Sequence, residues 1–190
     1  MNETNINPLW LSILNIMVGL VFILLAGISI MDFGFSKEIV LVILAFLLSA
    51  VSVTRFINGL FDKLLTKTLK IMNLIIGTIG LSIALYIIFN PTLDIDSQII
   101  LIASGIFIQG LARIATGGTD QTFSIWLRGI FILIGGITIL LALLVIIFGT
   151  IEESTLIVLL AYIFLLNGFS RLIHGISGLK FVSGTRIGRN

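Results

Sequence analysis

The chain repeats part of its sequence at a constant spacing of 58 residues. Arginine is the strongest evidence, because the chain contains only six arginines and three of them, Arg55, Arg113 and Arg171, are successively 58 positions apart. Small residues follow the same spacing in four columns: Gly19, Gly77, Gly135; Ala26, Ala84, Ala142; Ala45, Ala103, Ala161; and Gly59, Gly117, Gly175. A constant period of this kind indicates one supersecondary unit used several times. The chain is therefore predicted to contain three copies of one module.

The composition indicates where such a module is stable. The chain is 58% hydrophobic and 11% charged, whereas soluble domains are about 25% charged. Six apolar segments are long enough to cross a hydrocarbon core of about 30 Å as helices. They span residues 9–31, 39–61, 69–89, 99–116, 125–148 and 155–176. Because no water is present in that core, the backbone must satisfy its own hydrogen bonds as helix. The sequence predicts an all-α membrane protein with six transmembrane helices.

The repeat and the spans together predict the architecture. Three tandem two-helix hairpin repeats cover residues 9–62, 67–120 and 125–178, and a basic cytoplasmic tail covers residues 179–190. Since each repeat crosses the membrane twice, all three have the same orientation. A pseudo-three-fold axis along the membrane normal can then relate them. We predict a pseudo-three-fold bundle that forms a single membrane domain over residues 1–190.

The charges predict the orientation. Ten of the eleven basic residues lie on the side of the membrane that holds both termini and the connections between repeats. The positive-inside rule places that side in the cytoplasm, so we predict a multi-pass protein of the cytoplasmic (plasma) membrane with both termini cytoplasmic. The predicted partners are membrane lipids and a second copy of the chain or another membrane protein. Nucleic acid is not a predicted partner, since no basic surface with interleaved aromatic residues occurs.

Small residues predict how the helices pack. Within each helix they are spaced by seven residues, or two turns, and therefore lie on one face. Lipid gives helices no hydrophobic reason to associate, so close backbone approach at small residues holds them together. The predicted helix-packing residues are Gly19, Gly77, Gly135, Gly59, Gly117, Gly175, Gly110 and Gly168.

The three arginines of the repeat have two interpretations. Each lies about sixteen residues into its helix, ~24 Å from the outer surface, where a long side chain can snorkel to the interface as a topological anchor. Alternatively, Arg55, Arg113 and Arg171 form a ring at the inner end of the bundle. Such a ring would attract anions or phospholipid phosphates, or repel cations at a pore mouth.

Other polar side chains in or near the spans are few. Four amides are expected to make interhelical hydrogen bonds. They are Asn15 and Asn73, with Phe131 in the third copy, and Gln109 and Asn167, with Val51 in the first. Their failure to recur in every copy argues against a symmetric ligand ring. Asp62 and Asp120 each follow an arginine by seven residues and are candidates to pair with it.

Several kinds of catalytic and metal site are excluded by residue type. The chain has no cysteine and a single histidine, His174, so it lacks the ligands for a cysteine- or histidine-rich metal site. No carboxylate lies within a predicted span, where a proton- or sodium-coupled carrier normally has an ionisable group. No nucleophile–base pair or phosphate-binding loop occurs. The sequence predicts a protein that is not an enzyme and has no cofactor.

Two strings of residues resemble a known family. They are Arg128-Gly129-Ile130 followed by Gly135 and Gly136, and Asn167-Gly168 followed by Arg171 and Gly175. With six helices in three hairpins, the chain resembles the HdeD-like acid-resistance membrane proteins over nearly its whole length. This resemblance implies a cytoplasmic-membrane protein linked to acid or envelope stress. It supplies no catalytic residues.

Two functions follow as hypotheses. The first is a non-enzymatic stress protein that acts through membrane residence or partner binding. Its candidate pH-responsive residues, here called the outer acids, are Asp94, Asp96, Glu152 and Glu153. They would neutralise as external pH falls toward about 4. The alternative is a small ion channel or facilitator with an inner arginine ring.

Overall fold

The protein is all-helical over the residues that the structure describes. The computed structural model describes residues 9–31, 35–63, 65–90, 92–119, 124–149 and 152–187, with side chains as far as residue 177. The helices are α1 (Leu9–Ile30), α2 (Lys37–Phe61), α3 (Lys67–Phe89), α4 (Ile95–Thr119), α5 (Ile125–Ile147) and α6 (Glu153–Ile187). All six are long and apolar enough to cross a membrane. The prediction of six membrane-spanning helices is confirmed in this sense, and the fold suits a multi-pass membrane protein.

Helix ends depart most from the sequence prediction at two places. α4 begins at Ile95, four residues before the predicted span, because Asp94 caps it: its carboxylate accepts a hydrogen bond from the Ser97 amide at 2.9 Å. α6 continues to Ile187, where a basic tail was predicted from residue 179. No proline interrupts it, since both prolines of the chain, Pro8 and Pro91, lie elsewhere. Residues 188–190 lie outside the described part of the chain.

Three helix pairs account for most of the packing. α1 packs on α6, α2 on α3, and α4 on α5, more extensively than the two helices of any hairpin pack on each other. α2, α4 and α6 also contact one another, whereas α1, α3 and α5 each contact two of these three. We call α2, α4 and α6 the inner helices. The end of the bundle with the α1–α2, α3–α4 and α5–α6 connections is the hairpin end, and the opposite end is the terminal end.

Glycines bring the paired helices into backbone contact. A Cβ atom added at Gly19 of α1 would lie 2.9 Å from the Gly168 carbonyl oxygen of α6. One added at Gly77 of α3 would lie 2.9 Å from the Ser52 carbonyl oxygen of α2. Real Cβ atoms are not found this close to a backbone oxygen, so only hydrogen fits at these positions.

The other six glycines of the predicted packing set also face a neighbouring helix. Added Cβ atoms would lie 3.3 Å or less from backbone atoms of the neighbour at Gly59, Gly110, Gly117, Gly135, Gly168 and Gly175. Two further glycines were not in that set. Gly80 lies against Ser52 and Gln109, and Gly105 lies against the side chain of Leu48.

Apolar side chains fill the space between the inner helices toward the hairpin end. Nine of them, each 5% exposed or less, define what we call the apolar core: Leu41, Leu44, Leu48, Ile99, Ile102, Ile106, Ile157, Leu160 and Phe164. They occupy corresponding positions on α2, α4 and α6. Large apolar residues also cover the outside of the bundle, as at Leu24 and Leu133, which are 65% and 64% exposed. Such a surface is suited to lipid rather than to water.

Candidate functional site

The three arginines of the repeat meet at one cavity between the inner helices. Arg55, Arg113 and Arg171 are 9%, 6% and 7% exposed, and all three line a cavity of about 70 Å³, room for a few water molecules. Asp62 and Leu65, from the α2–α3 connection, also line it, so it lies toward the terminal end. We call it the arginine cavity. A snorkelling anchor would lie on the lipid-facing surface, and these buried side chains do not.

Arg55 is held by side chains of two other helices. Its Nε donates to Oε1 of Gln109 on α4. Its Nη1 donates to Oδ1 of Asn73 on α3 at 2.9 Å, and its Nη2 donates to the Gln109 carbonyl oxygen at 3.0 Å. Each of its three nitrogens therefore has an acceptor, which offsets the cost of removing a guanidinium from water.

Arg171 is held in a similar way, by α1 and α2. Its Nη1 donates to Oδ1 of Asn15 at 3.2 Å, and its Nη2 donates to the Val51 carbonyl oxygen at 3.0 Å. Its Cζ also lies 5.9 Å from the centroid of the Phe22 ring, within cation–π range. Its Nε is buried without a hydrogen-bond partner.

Arg113 has fewer partners than the other two. Its Nη2 donates to Oδ1 of Asn167 on α6, but its Nη1 is buried and has no hydrogen-bond partner. The cavity is also lined by Phe131 and His174, whose rings lie 6.0 Å apart between centroids. The two nitrogens without partners, Nη1 of Arg113 and Nε of Arg171, are enclosed by protein.

The charge on the cavity wall is unbalanced. Among its described residues, three arginines face a single carboxylate, Asp62, which leaves an excess of two positive charges. Asp120, the other predicted arginine partner, lies outside the described residues. One more carboxylate would still leave one positive charge in excess. Because guanidinium groups do not lose their proton in proteins, this excess favours an anion.

The amides are where the site departs most from the sequence analysis. They make interhelical hydrogen bonds as expected, but with the arginines, which the sequence analysis did not pair with them. The available signal was spacing: Gln109 and Asn167 each follow their arginine by 54 residues. Where valine replaces the amide, the Val51 carbonyl oxygen accepts from Nη2 of Arg171 just as the Gln109 carbonyl oxygen accepts from Nη2 of Arg55, and Nε of Arg171 is left without an acceptor.

The outer acids lie at the hairpin end, away from the arginine cavity. Asp94 caps α4 and Asp96 lies in its first turn, while Glu152 and Glu153 lie at the start of α6. Glu153 forms an ion pair with Lys37 at 2.8 Å. Since both side chains are more than one-third exposed, such a pair contributes about 0–1 kcal/mol.

The Asp94 carboxylate is expected to be protonated at a lower pH than an ordinary carboxylate. The Ser97 amide donates to its carboxylate, which lowers the pKa of Asp94. A lowered pKa means that its stabilising effect is full above the unfolded-state value of about 3.9 and is lost only as pH falls through the lower folded-state value. We expect Asp94→Ala to lower the melting temperature equally at pH 7 and 5, with the difference disappearing only below about pH 4.

The control for Asp94 is Asp96→Ala, which removes an exposed carboxylate from the same turn. A difference between wild type and Asp94→Ala that already narrows between pH 7 and 5 would contradict the assignment.

Comparison with protein-family models, with curated proteins and with solved structures finds no match to this chain. The similarity to HdeD-like proteins therefore stays a prediction from the sequence. Among the described residues, no cluster of three histidine or acidic side chains is placed to hold a metal ion. The arginine cavity is therefore the candidate functional site.

Proposed function

We propose that this protein is a non-enzymatic membrane protein that binds a small anion in the arginine cavity. The observation that carries the proposal is the set of three buried arginines around one cavity, with an excess of positive charge on its wall. Charge-assisted hydrogen bonds are among the stronger polar contacts in proteins. An anion in the cavity would compensate the excess charge.

The cavity belongs, in this proposal, to three hairpin repeats arranged around a pseudo-three-fold axis. The hydrogen bonds supply the support, because they connect the inner helices in a cycle. Arg55 of α2 bonds to α4, Arg113 of α4 bonds to α6, and Arg171 of α6 bonds back to α2. The accepting positions, 109, 167 and 51, are themselves successively related by the 58-residue period. A cycle of this kind is what three equivalent units would produce.

The apolar core favours binding over conduction. It fills the space between the inner helices from Leu41 to Leu48 of α2, a length of roughly 10 Å. An ion would have to lose its hydration to cross it, with no polar group in the core to replace the water. The alternative function was an ion channel with an inner arginine ring. The arginines are present at one end of the bundle, but the apolar core closes the path beyond them.

The cellular setting of the proposal depends on the sequence. The distribution of basic residues supports a cytoplasmic location for the terminal end, so the proposed ligand is a cytoplasmic anion. A role in acid or envelope stress is supported only by the resemblance to HdeD-like proteins. The exposed outer acids are compatible with that role but do not contact the arginine cavity.

Equilibrium binding of radiolabelled sulfate or phosphate to the purified protein in lipid nanodiscs tests the proposal. Wild type is expected to bind saturably, and Arg113→Gln to bind at least about tenfold more weakly, because a charged hydrogen bond is worth about 1.5–3 kcal/mol. Lys67→Gln is the matched control, since it removes an exposed positive charge from the same end. Absence of saturable binding by folded wild type, or equal weakening by Lys67→Gln, would overturn the proposal.

A further inference from the structure

A second layer of polar side chains lines the arginine cavity. Each inner helix contributes one residue, three positions after its repeat arginine: Asn58, Thr116 and His174. Because the inner helices run from the hairpin end to the terminal end, these residues lie ~4.5 Å nearer the terminal end than the arginines. They are partly exposed, whereas the arginines are buried. We call these three residues the mouth layer.

The mouth layer lies on the side from which an anion can enter the cavity. In the opposite direction, toward the hairpin end, the apolar core fills the space between the inner helices. Asp62 and Leu65, which also line the cavity, belong to the α2–α3 connection at the terminal end. An anion that reaches the arginines from the terminal end therefore passes the mouth layer and stays next to it when bound.

His174 is the member of the mouth layer that can change its charge near neutral pH. It is the single histidine of the chain, and imidazole is the only side chain whose ordinary pKa, about 6.5, places its change of charge between pH 5 and 8. The amide of Asn58 and the hydroxyl of Thr116 stay neutral over this range. The repeat thus places a titratable group at this position in one copy only.

The charged groups around His174 are mostly cationic. The described ones on the cavity wall are Arg55 and Asp62 of α2, Arg113 of α4 and Arg171 of α6. Two further helices pack against α6. α1 carries no ionisable side chain, and α5 carries only Arg128, whose guanidinium donates to the carbonyl oxygens of Gly117 and Gly118.

We propose that the arginine cavity binds its anion together with a proton, and that the imidazole of His174 holds this proton. The inference rests on the proposed function and adds a second ligand, the proton, to the same site. The imidazolium adds one positive charge to the mouth of the cavity and so attracts the anion. Because coupling between two ligands is reciprocal, the bound anion favours the imidazolium in turn.

The expected coupling is large enough to measure. At an effective dielectric constant of about 20, a unit charge ~12 Å from a monovalent anion changes its binding constant about tenfold. A group that lines the same cavity of about 70 Å³ lies within such a distance of its contents. Binding is expected to be tighter in acid, since the imidazole gains its charge as pH falls.

Equilibrium binding of labelled sulfate as a function of pH tests the inference, with the protein in phosphatidylcholine nanodiscs. Sulfate is chosen because its charge is constant over the range. Wild type is expected to bind at least about tenfold more tightly at pH 5 than at pH 8. The matched variant is His174→Asn, which installs the residue of the first copy. It is expected to bind like wild type at pH 8, without the tightening at pH 5.

The outcomes distinguish the two proposals. If wild type binds sulfate with equal affinity at both pH values, or if His174→Asn keeps the full pH dependence, the role of His174 is wrong while the proposed function stands. If folded wild type does not bind sulfate at either pH, both proposals fail.

A measurement on wild type alone covers the case in which His174→Asn does not fold. Because the chain has a single histidine, protein labelled at histidine and freed of any purification tag gives one imidazole NMR signal. Addition of sulfate at about pH 7 is expected to shift this signal toward its position in acid, as the reciprocal coupling requires. A signal that stays in place while sulfate binds would overturn the inference.

Discussion

Gly135→Ala is expected to lower the free energy of unfolding by about 1–3 kcal/mol, the usual cost of adding a methyl group to a well-packed interface. The new Cβ would lie 3.0 Å from the Gly110 carbonyl oxygen and 2.8 Å from Cγ1 of Ile114. Because the first of these atoms is backbone, α4 and α5 must separate to relieve the contact. Unfolding in mixed detergent micelles measures the effect.

The neighbouring residue provides a matched control. A Cβ at Gly136 meets nothing within 4 Å, and alanine is a better helix former than glycine by up to about 1 kcal/mol. Gly136→Ala is therefore expected to leave the free energy of unfolding unchanged or slightly raised. Equal destabilisation by the two alanines would show that close helix contact is not what makes Gly135 necessary.

Gln109→Leu is expected to lower the free energy of unfolding by about 1.5–3 kcal/mol, because it leaves a buried charged donor without its acceptor. The group left without a partner is Nε of Arg55, which donates to Oε1 of Gln109. The same unfolding measurement applies. Gln109→Asn is the conservative control, since asparagine occupies the corresponding position as Asn167, where it accepts from Arg113.

A double variant separates the hydrogen bond from the loss of side-chain volume. When both partners are replaced by apolar residues, no buried donor remains unpaired, and the cost is smaller than the sum of the single changes. The double variant Arg55→Met/Gln109→Leu is therefore expected to lose less free energy of unfolding than the two single variants lose together. Strict additivity would contradict a direct interaction between the two side chains.

The helices were predictable because their signal is long and uniform. Membrane spans of about 20 apolar residues leave little ambiguity. The start of α4 was missed because hydropathy excludes the polar first turn, although a capping aspartate such as Asp94 belongs to the helix start. The sequence did not predict which helices pair with each other. Gly19 and Gly168 each mark a face, but their sequence does not say that α1 packs against α6 rather than against its hairpin partner.

The sequence predicted the charged residues of the site but not the groups that accept hydrogen bonds from them. The period identified Arg55, Arg113 and Arg171 as a set. The amides were predicted to make interhelical hydrogen bonds, but not with the arginines, and were discounted as a ligand ring because valine interrupts one column and phenylalanine the other. At Val51 the backbone carbonyl keeps the bond to Nη2 that Gln109 also provides, and only the acceptor for Nε is lost; a backbone bond of this kind cannot be read from residue identity. At Phe131 the sequence shows only that the amide is lost, and the structure shows that Nη1 of Arg113 then lacks an acceptor.

The central claim is that the protein binds an anion at the arginines but does not conduct it. Ion flux through the purified protein in sealed liposomes tests this claim most directly. Sulfate, chloride and proton movement are followed across an imposed gradient, with Arg113→Gln and Lys67→Gln alongside. Wild type that binds anions is expected to give no flux above that of empty vesicles, since the apolar core blocks the path. Anion flux through wild type that is lost in Arg113→Gln and kept in Lys67→Gln would contradict this account and identify a conducting protein.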